Sequence, residues 1–419
     1  MERLLHYVWK NRLIPRSGLK TTAGEDVVVL SPGLHNTDAG PDFFNADIII
    51  GGADWMGNVE IHTKSSEWYR HNHDKDKAYN NVVLHIVEQA DTEVFTESGR
   101  KVPQLVIGVP EYVVNNYERL QAYDDNPSCY QYAAQIPTLI YSRWMSRLCE
   151  ERLERKAADI ESRLHYCESD WERTFFITMA RAFGFGLNSD TFEQWARTIP
   201  FGGAAKHRDN LLQIEALFLG QAGFLEGEPN DVDMLSATLP EVKYQDLKSE
   251  YRFLASKFSL TSITRHSWKF LRTRPQNFPT VRLAQFAKLY YKRKLRLSVV
   301  LEAEGPEEIR KVFDDINMPQ ASVNVLIINA VIPFFYAYGR YRGNSRMQAK
   351  ALKWLAVMPA EDNKYTRKFK LNSSPVVDPE RSINTAADSQ AIIQLVTRYC
   401  ERRDCLRCQL GYQYIKKSG

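Results

Sequence analysis

Apolar residues recur along this chain with two different periods, and the change from one to the other divides it. Up to about residue 124 the runs are short, β-branched or alternating. Asp26 to Leu30 (DVVVL) predicts a strand that Ser31-Pro32-Gly33 ends. Asn45 to Ile50 closes on three isoleucines before Gly51-Gly52 turns the chain. From Asn58 to Lys64 the positions alternate, with Val59, Ile61 and Thr63 on one face and Glu60, His62 and Lys64 on the other. The two runs predict an antiparallel hairpin. Asn81 to Val87 (NVVLHIV) predicts a third strand, and Glu67 to Tyr79 a polar loop leading into a short helix. Leu4 to Leu13 and Pro110 to Leu120 read as helices. Thr92 to Phe95 and Gln104 to Ile107 read as edge strands around Glu97-Ser98-Gly99. Residues 1–124 are thus expected to form a mixed α/β domain with an αβββαβ core.

From residue 125 to about 385 the period becomes three to four and strand patterns vanish. Leu139 to Leu164 is the longest such stretch. Others are Trp171 to Phe185, Thr191 to Thr198, Asp209 to Ala222, Asp246 to Phe258, Val281 to Tyr291, Pro306 to Asp314, Val323 to Tyr338 and Ser345 to Ala356. Phe224 to Asp233 reads as an acidic loop and Leu371 to Glu380 as a linker. Residues 386–419 read as a last helix, Ala387 to Tyr399, and a cysteine-rich tail. The expected fold class is α+β, a mixed domain followed by a mostly helical one.

Composition adds three points. The chain of 419 residues, 44% hydrophobic and 25% charged, has room for two or three domains with sizeable cores. No secretion signal and no apolar run long enough for a membrane helix are read from it, so a cytoplasmic protein is expected. The six cysteines are three scattered ones (Cys129, Cys149, Cys167) and three crowded near the end, which does not suggest a disulfide framework.

Candidate chemistry is densest between Gly40 and Val87. That stretch holds four of the nine histidines, His62, His71, His73 and His85, with the carboxylates Asp42, Asp47, Asp54, Glu60, Asp74 and Asp76. Asp42 precedes the hairpin's first strand, and Glu60 and His62 share a face of the second. Buried carboxylates are rare without a partner, so Asp42, Glu60 and His62 together read as a site. Two carboxylates at adjacent strand ends suit a hard cation such as Mg²⁺ or Mn²⁺. An alternative uses His71, His73 and His85, with Asp76, as ligands of Zn²⁺ or another transition metal. The plainer reading of each histidine alone is a core or loop residue.

The order of strands, with Pro41-Asp42 and Glu60-x-His62, resembles the core of the PD-(D/E)XK nuclease superfamily. The resemblance implies that Asp42 and Glu60 hold a divalent metal. His62 stands where that family has a lysine, and Lys64, on the same face, offers an ammonium instead. A missing lysine is also a mark of inactive members. GPDF, GNVEIH, HNHDKDKAYNNVVLHIV and the tail YCERRDCLRC extend a second resemblance over most of the chain, to the bacterial domain-of-unknown-function 2851 family.

Two further features point outward. Between Tyr251 and Leu301 there are twelve Lys or Arg and no Asp or Glu, while the whole chain is only +4. Arg272, Arg274, Arg282, Lys292, Arg293, Lys294 and Arg296, interleaved with Trp268, Phe270, Phe278, Phe286, Tyr290 and Tyr291, read as a nucleic-acid surface. The competing reading is amphipathic helices with the aromatics inside. In the tail, Cys400, Cys405 and Cys408 have the spacing of a zinc or iron–sulfur site, with Cys129, Cys149, Cys167 or a distant histidine as the fourth ligand. Iron–sulfur nucleases of the superfamily place one cysteine before the core, and no cysteine here precedes residue 129.

The expected function is metal-dependent phosphodiester hydrolysis with Asp42, Glu60, His62 and Lys64 as the reacting set. The alternatives are a catalytically inactive nucleic-acid-binding scaffold and a transition-metal hydrolase acting on a small substrate through the histidines.

Overall fold

The computed structural model describes residues 1–15, 17–122, 127–227, 229–271, 273–291, 296–372 and 382–417. Its period-two stretches join in one seven-stranded sheet. The strands are β1 (Leu19–Lys20), β2 (Asp26–Ser31), β3 (Leu34–His35), β4 (Phe43–Ile50), β5 (Ala53–Lys64), β6 (Val82–Gln89) and β7 (Gln104–Val106). Their order is β1-β2-β4-β5-β6-β7, with β3 paired to β4.

β2, β4 and β5 run antiparallel, and β5, β6 and β7 run parallel. Gly51 and Gly52 both hold positive φ, +57° and +84°, which makes the tight β4–β5 loop possible. A parallel neighbour needs a crossover. Residues 65–81 supply it through α2 (Glu67–Arg70) and two single turns, His73–Lys75 and Lys77–Tyr79. Gly57 lets the strands meet where β6 begins, since a Cβ there would lie 2.3 Å from Val83 Cγ1 and 2.7 Å from the Asn81 carbonyl. The expected strand over 92–95 is only a bridge between Phe95 and Lys101.

Alternation sorts the two faces. Val59 and Ile61 join Leu84, Ile86, Phe43 and Ile48 in a core that Leu5 and Trp9 of α1 (Glu2–Lys10) also enter. A smaller cluster of Trp68, Tyr79, Val82, Val94 and Val102 forms beside the crossover. Glu60, His62 and His85 are buried without belonging to either apolar cluster.

The chain divides into two compact units. One holds Met1–Pro137, Asn372–Pro375 and Arg398–Gly419; the other holds Thr138–Leu371 and Val376–Thr397. The first therefore holds α3 (Glu111–Gln121), runs past 124 through α4 (Ser128–Tyr132), and takes the cysteine tail. The linker expected at 371–380 lies almost wholly outside the described residues.

The second unit is helical, as its period predicts. α5 (Thr138–Tyr166) packs against the Ala386–Leu395 helix, which Thr385 and Asp388 start with a capping box. Asp170 and Asn210 cap the helices Trp171–Phe183 and Leu211–Gln221. The residues expected as an acidic loop over 224–233 enter a helix, Pro229–Thr238, because Asp231 is buried and paired with Arg265 at 2.7 Å. One described stretch, Gln320–Tyr341, is long and apolar enough by length and composition to cross a membrane, which corrects the expectation that no such run exists. Of its apolar window, 67% is buried inside the protein, against partners that include Trp171 and Phe175.

Candidate metal centre

The centre begins with a reciprocal pair of hydrogen bonds between strand ends. The Asp42 N–H, just before β4, donates to Glu60 Oε2 at 3.1 Å. The Ile61 N–H of β5 donates back to Asp42 Oδ2 at 2.9 Å. Two carboxyl groups are thereby fixed side by side with little water. Burial, and for Asp42 the neighbouring Glu60 charge, pushes both well above the ordinary carboxylate range. His6 of α1 approaches Asp42 Oδ2 at 3.4 Å, and burial and His35 hold its imidazole down at about 4.

Histidines close the other side. β5 and β6 are in register with Glu60 opposite His85, so His62 and His85 meet across the strands, Nδ1 to Nε2 at 2.9 Å. When His62 Nδ1 is the donor in that bond, its Nε2 is left as a lone-pair nitrogen. That Nε2 lies 3.6 Å from Glu60 Oε1 and 3.2 Å from His71 Nδ1. His73 Nε2 lies 3.2 Å from the same Glu60 oxygen. A ring nitrogen from each of His62, His71 and His73 falls within 4.8 Å of the other two, a grouping able to hold a metal ion. Burial depresses His62, His73 and His85, which favours the neutral ring, and a neutral ring offers one lone-pair nitrogen.

The convergence depends on one backbone feature. A strand would put His71 and His73 on one face and a helix would separate them; the chain does neither. Asn72 between them is left-handed, φ 60° and ψ 30°, and the sharp turn delivers both rings to one point. Trp68 and Tyr79 wall the rings in. Tyr79 stacks on His73 with centroids 3.8 Å apart, and Trp68 lies 5.3 Å from His85. His71 is exposed and Asp42 partly so, which puts the opening on their side.

A model of the family described as "Protein of unknown function (DUF2851)" matches residues 2–320 and 314–364. The chain belongs to that family. No curated protein and no solved structure matches it.

The other residues singled out in this family member are placed as follows. Lys64 is exposed at the end of β5, past the cluster. Asp76 caps the turn that follows, its carboxylate accepting the Ala78 N–H at 2.9 Å. His6, His35 and the Trp68–Tyr79 wall join the centre without a signal in strand periodicity.

In the basic segment Arg282 is buried, 3% exposed, and donates to Gln285 Oε1 at 2.9 Å and Asn277 Oδ1 at 2.5 Å. It is an internal strut, on a helix that also buries Thr280, Leu283 and Phe286 around it. Trp268, Phe286 and Tyr290 are core residues as well. Arg274 and Arg296 are exposed, while Arg272, Lys292, Arg293 and Lys294 lie outside the described residues. Cys400, Cys405 and Cys408 belong to the first unit with Cys129, whereas Cys149 and Cys167 belong to the second.

Proposed function

We propose that the first unit is a metal-dependent hydrolase of phosphate esters, with nucleic acid as the substrate class. The observation that carries this reading is the convergence of ring nitrogens from His62, His71 and His73 on one point, with the Glu60 carboxyl against His62 and His73 and Asp42 beside it. Three nitrogens and one oxygen suit Zn²⁺, Fe²⁺ or Mn²⁺ better than Mg²⁺, which takes oxygen ligands. An ion held there makes a bound water acidic and stabilises charge on a phosphate.

The protein's own groups divide the remaining work. Asp42, at the opening and raised in basicity, accepts the proton of the attacking water. His6 stands behind Asp42 to orient it. Lys64, exposed one register step beyond His62, offers positive charge to an incoming phosphate. The order of the strands β2, β4, β5 and β6, antiparallel twice and then parallel, agrees with the nuclease-like reading and supports a phosphodiester substrate.

The test uses the full chain stripped of metal and reloaded with Mn²⁺, Zn²⁺ or Mg²⁺. Cleavage of single- and double-stranded DNA and RNA and of bis(4-nitrophenyl) phosphate is then followed. Glu60→Gln and His73→Ala should each lower turnover by about 100-fold or more while circular dichroism is unchanged. Tight nucleic-acid binding without turnover under any metal would instead make the chain a scaffold, and the hydrolase reading would fail.

A further inference from the structure

A second cluster lies in the first unit, on residues the histidine centre does not use. Cys129 sits in α4, and the next residue, Tyr130, donates its phenol O–H to Cys400 Sγ at 3.3 Å. α4 also packs against the Gln409–Ile415 helix, whose N-cap is Cys408. Cys405 opens the single turn Cys405–Arg407, which rests on α3. The Cys408 N–H donates to the Cys405 carbonyl at 3.3 Å, so these two share one turn against α3 and α4, where Tyr130 meets Cys400. Cys129, Cys405 and Cys408 are 6%, 9% and 5% exposed.

The backbone around them is shaped to keep them there. Arg403 is left-handed at φ 54°, and its N–H donates to the Cys400 carbonyl at 2.9 Å, turning the chain back between the first two tail cysteines. Gly411 lies against the Cys405 carbonyl, where a Cβ would come within 2.3 Å of the oxygen. The Asn116 side chain of α3 donates to the carbonyls of Ile415 and Lys417 at 3.1 and 3.0 Å. The tail is therefore held on α3 and α4 by contacts that span most of the chain.

We infer that Cys129, Cys400, Cys405 and Cys408 form a tetrathiolate site for one thiophilic metal centre, zinc or an iron–sulfur cluster. Four thiols from two distant segments, three buried and Cys400 half-buried, satisfy the ligand count such centres require. Arg403, two residues before Cys405, carries charge of the sign that four thiolates call for. The centre would fasten the tail to the sheet-bearing unit, and no step of hydrolysis passes through it.

The test is carried out on the full chain purified without oxygen. Zinc, iron and acid-labile sulfide are measured, and cysteines are alkylated before and after chelation and located by peptide mass spectrometry. The expected result is that Cys129, Cys400, Cys405 and Cys408 are protected together and become reactive together when metal is removed. Cys149 and Cys167 should not respond. Zinc, or iron with an equal amount of sulfide, names the centre in either case. Cys129→Ser should lose one metal centre per chain and Cys149→Ser none; should Cys129→Ser fail to fold, the alkylation pattern of the wild type decides. Cys129 indifferent to chelation, or cysteines released by a reductant and not by a chelator, would overturn the assignment. His71→Ala should leave the protection intact, so this site and the histidine centre fail separately.

Discussion

Asp42 and Glu60 each hold the other's strand in place, yet their carboxylates repel. The Asp42 N–H donates to Glu60 Oε2 at 3.1 Å, while burial raises both acids above their ordinary values and the Glu60 charge raises Asp42 further. The metal-free protein then has a definite pH signature. A carboxyl raised in the folded state binds more protons there than in the unfolded chain, so stability falls as pH climbs toward the raised value. The depressed histidines His6, His62, His73 and His85 act oppositely, and only below their ordinary value near 6.5. Between pH 6.5 and about 8 the carboxyl pair lowers stability, as does Glu215, raised by burial to about 7, while the buried Lys156, held well below its ordinary value, acts the other way. The melting temperature of metal-free protein should therefore drop over that window, by on the order of 3 °C. Asp42→Asn should lessen the drop, and so should saturating metal. The same change from pH 6.5 to 8 in the metal-free parent and in Asp42→Asn would contradict the pairing.

His85 stands outside the three-histidine group and fixes His62 from behind through the 2.9 Å contact at Nδ1. Partners that orient a ligating imidazole are typically worth 10–100-fold in affinity. His85→Ala should weaken metal binding by about that factor in a chelator competition, and His85→Gln, which keeps a polar end, should recover part of it. Equal affinity in all three proteins would mean that His62 is oriented by something else.

How much of this was readable from the sequence depends on how local each cause is. The hairpin and the shared face of Glu60 and His62 were readable, because alternation maps directly onto a pleated strand. The pairing of Asp42 with Glu60 followed from the same hairpin. The meeting of His71 and His73 was not readable, since it hangs on one left-handed residue, Asn72, in an otherwise polar loop. His6 arrives from a helix whose docking angle no local pattern encodes. Arg282 looked like surface because a charged residue in a basic run suggests water; its burial is carried by Asn277 and Gln285, which accept from its two terminal guanidinium nitrogens. Cys129 stood out only as one of several possible partners for the tail.

Gly57 tests the packing that brings β6 to β5. A methyl group there would overlap the Val83 side chain and the Asn81 carbonyl, and backbone cannot swing aside as a side chain can. Gly57→Ala should cost roughly 1–3 kcal/mol in chemical denaturation. It should also weaken metal binding, because His85 rides on the strand that is pushed away. Unaltered stability would show that the two strands have slack.

The last prediction separates a basic surface from a basic core within the same segment. Arg282 is inside, and removing its guanidinium leaves Asn277 Oδ1 and Gln285 Oε1 without their donor. Arg282→Ala should therefore destabilise the second unit by about 2–4 kcal/mol. Its effect on polyanion binding, measured well below the melting temperature, should be small. Arg274 and Arg296 are exposed and should behave in the opposite way. Replacing either with Glu should leave stability within about 0.5 kcal/mol of the parent. Each replacement should also weaken DNA or RNA binding and reduce the slope of log affinity against log salt by about one. If Arg282→Ala altered the salt slope and the two exposed replacements did not, the polyanion surface would have to be sought outside this segment.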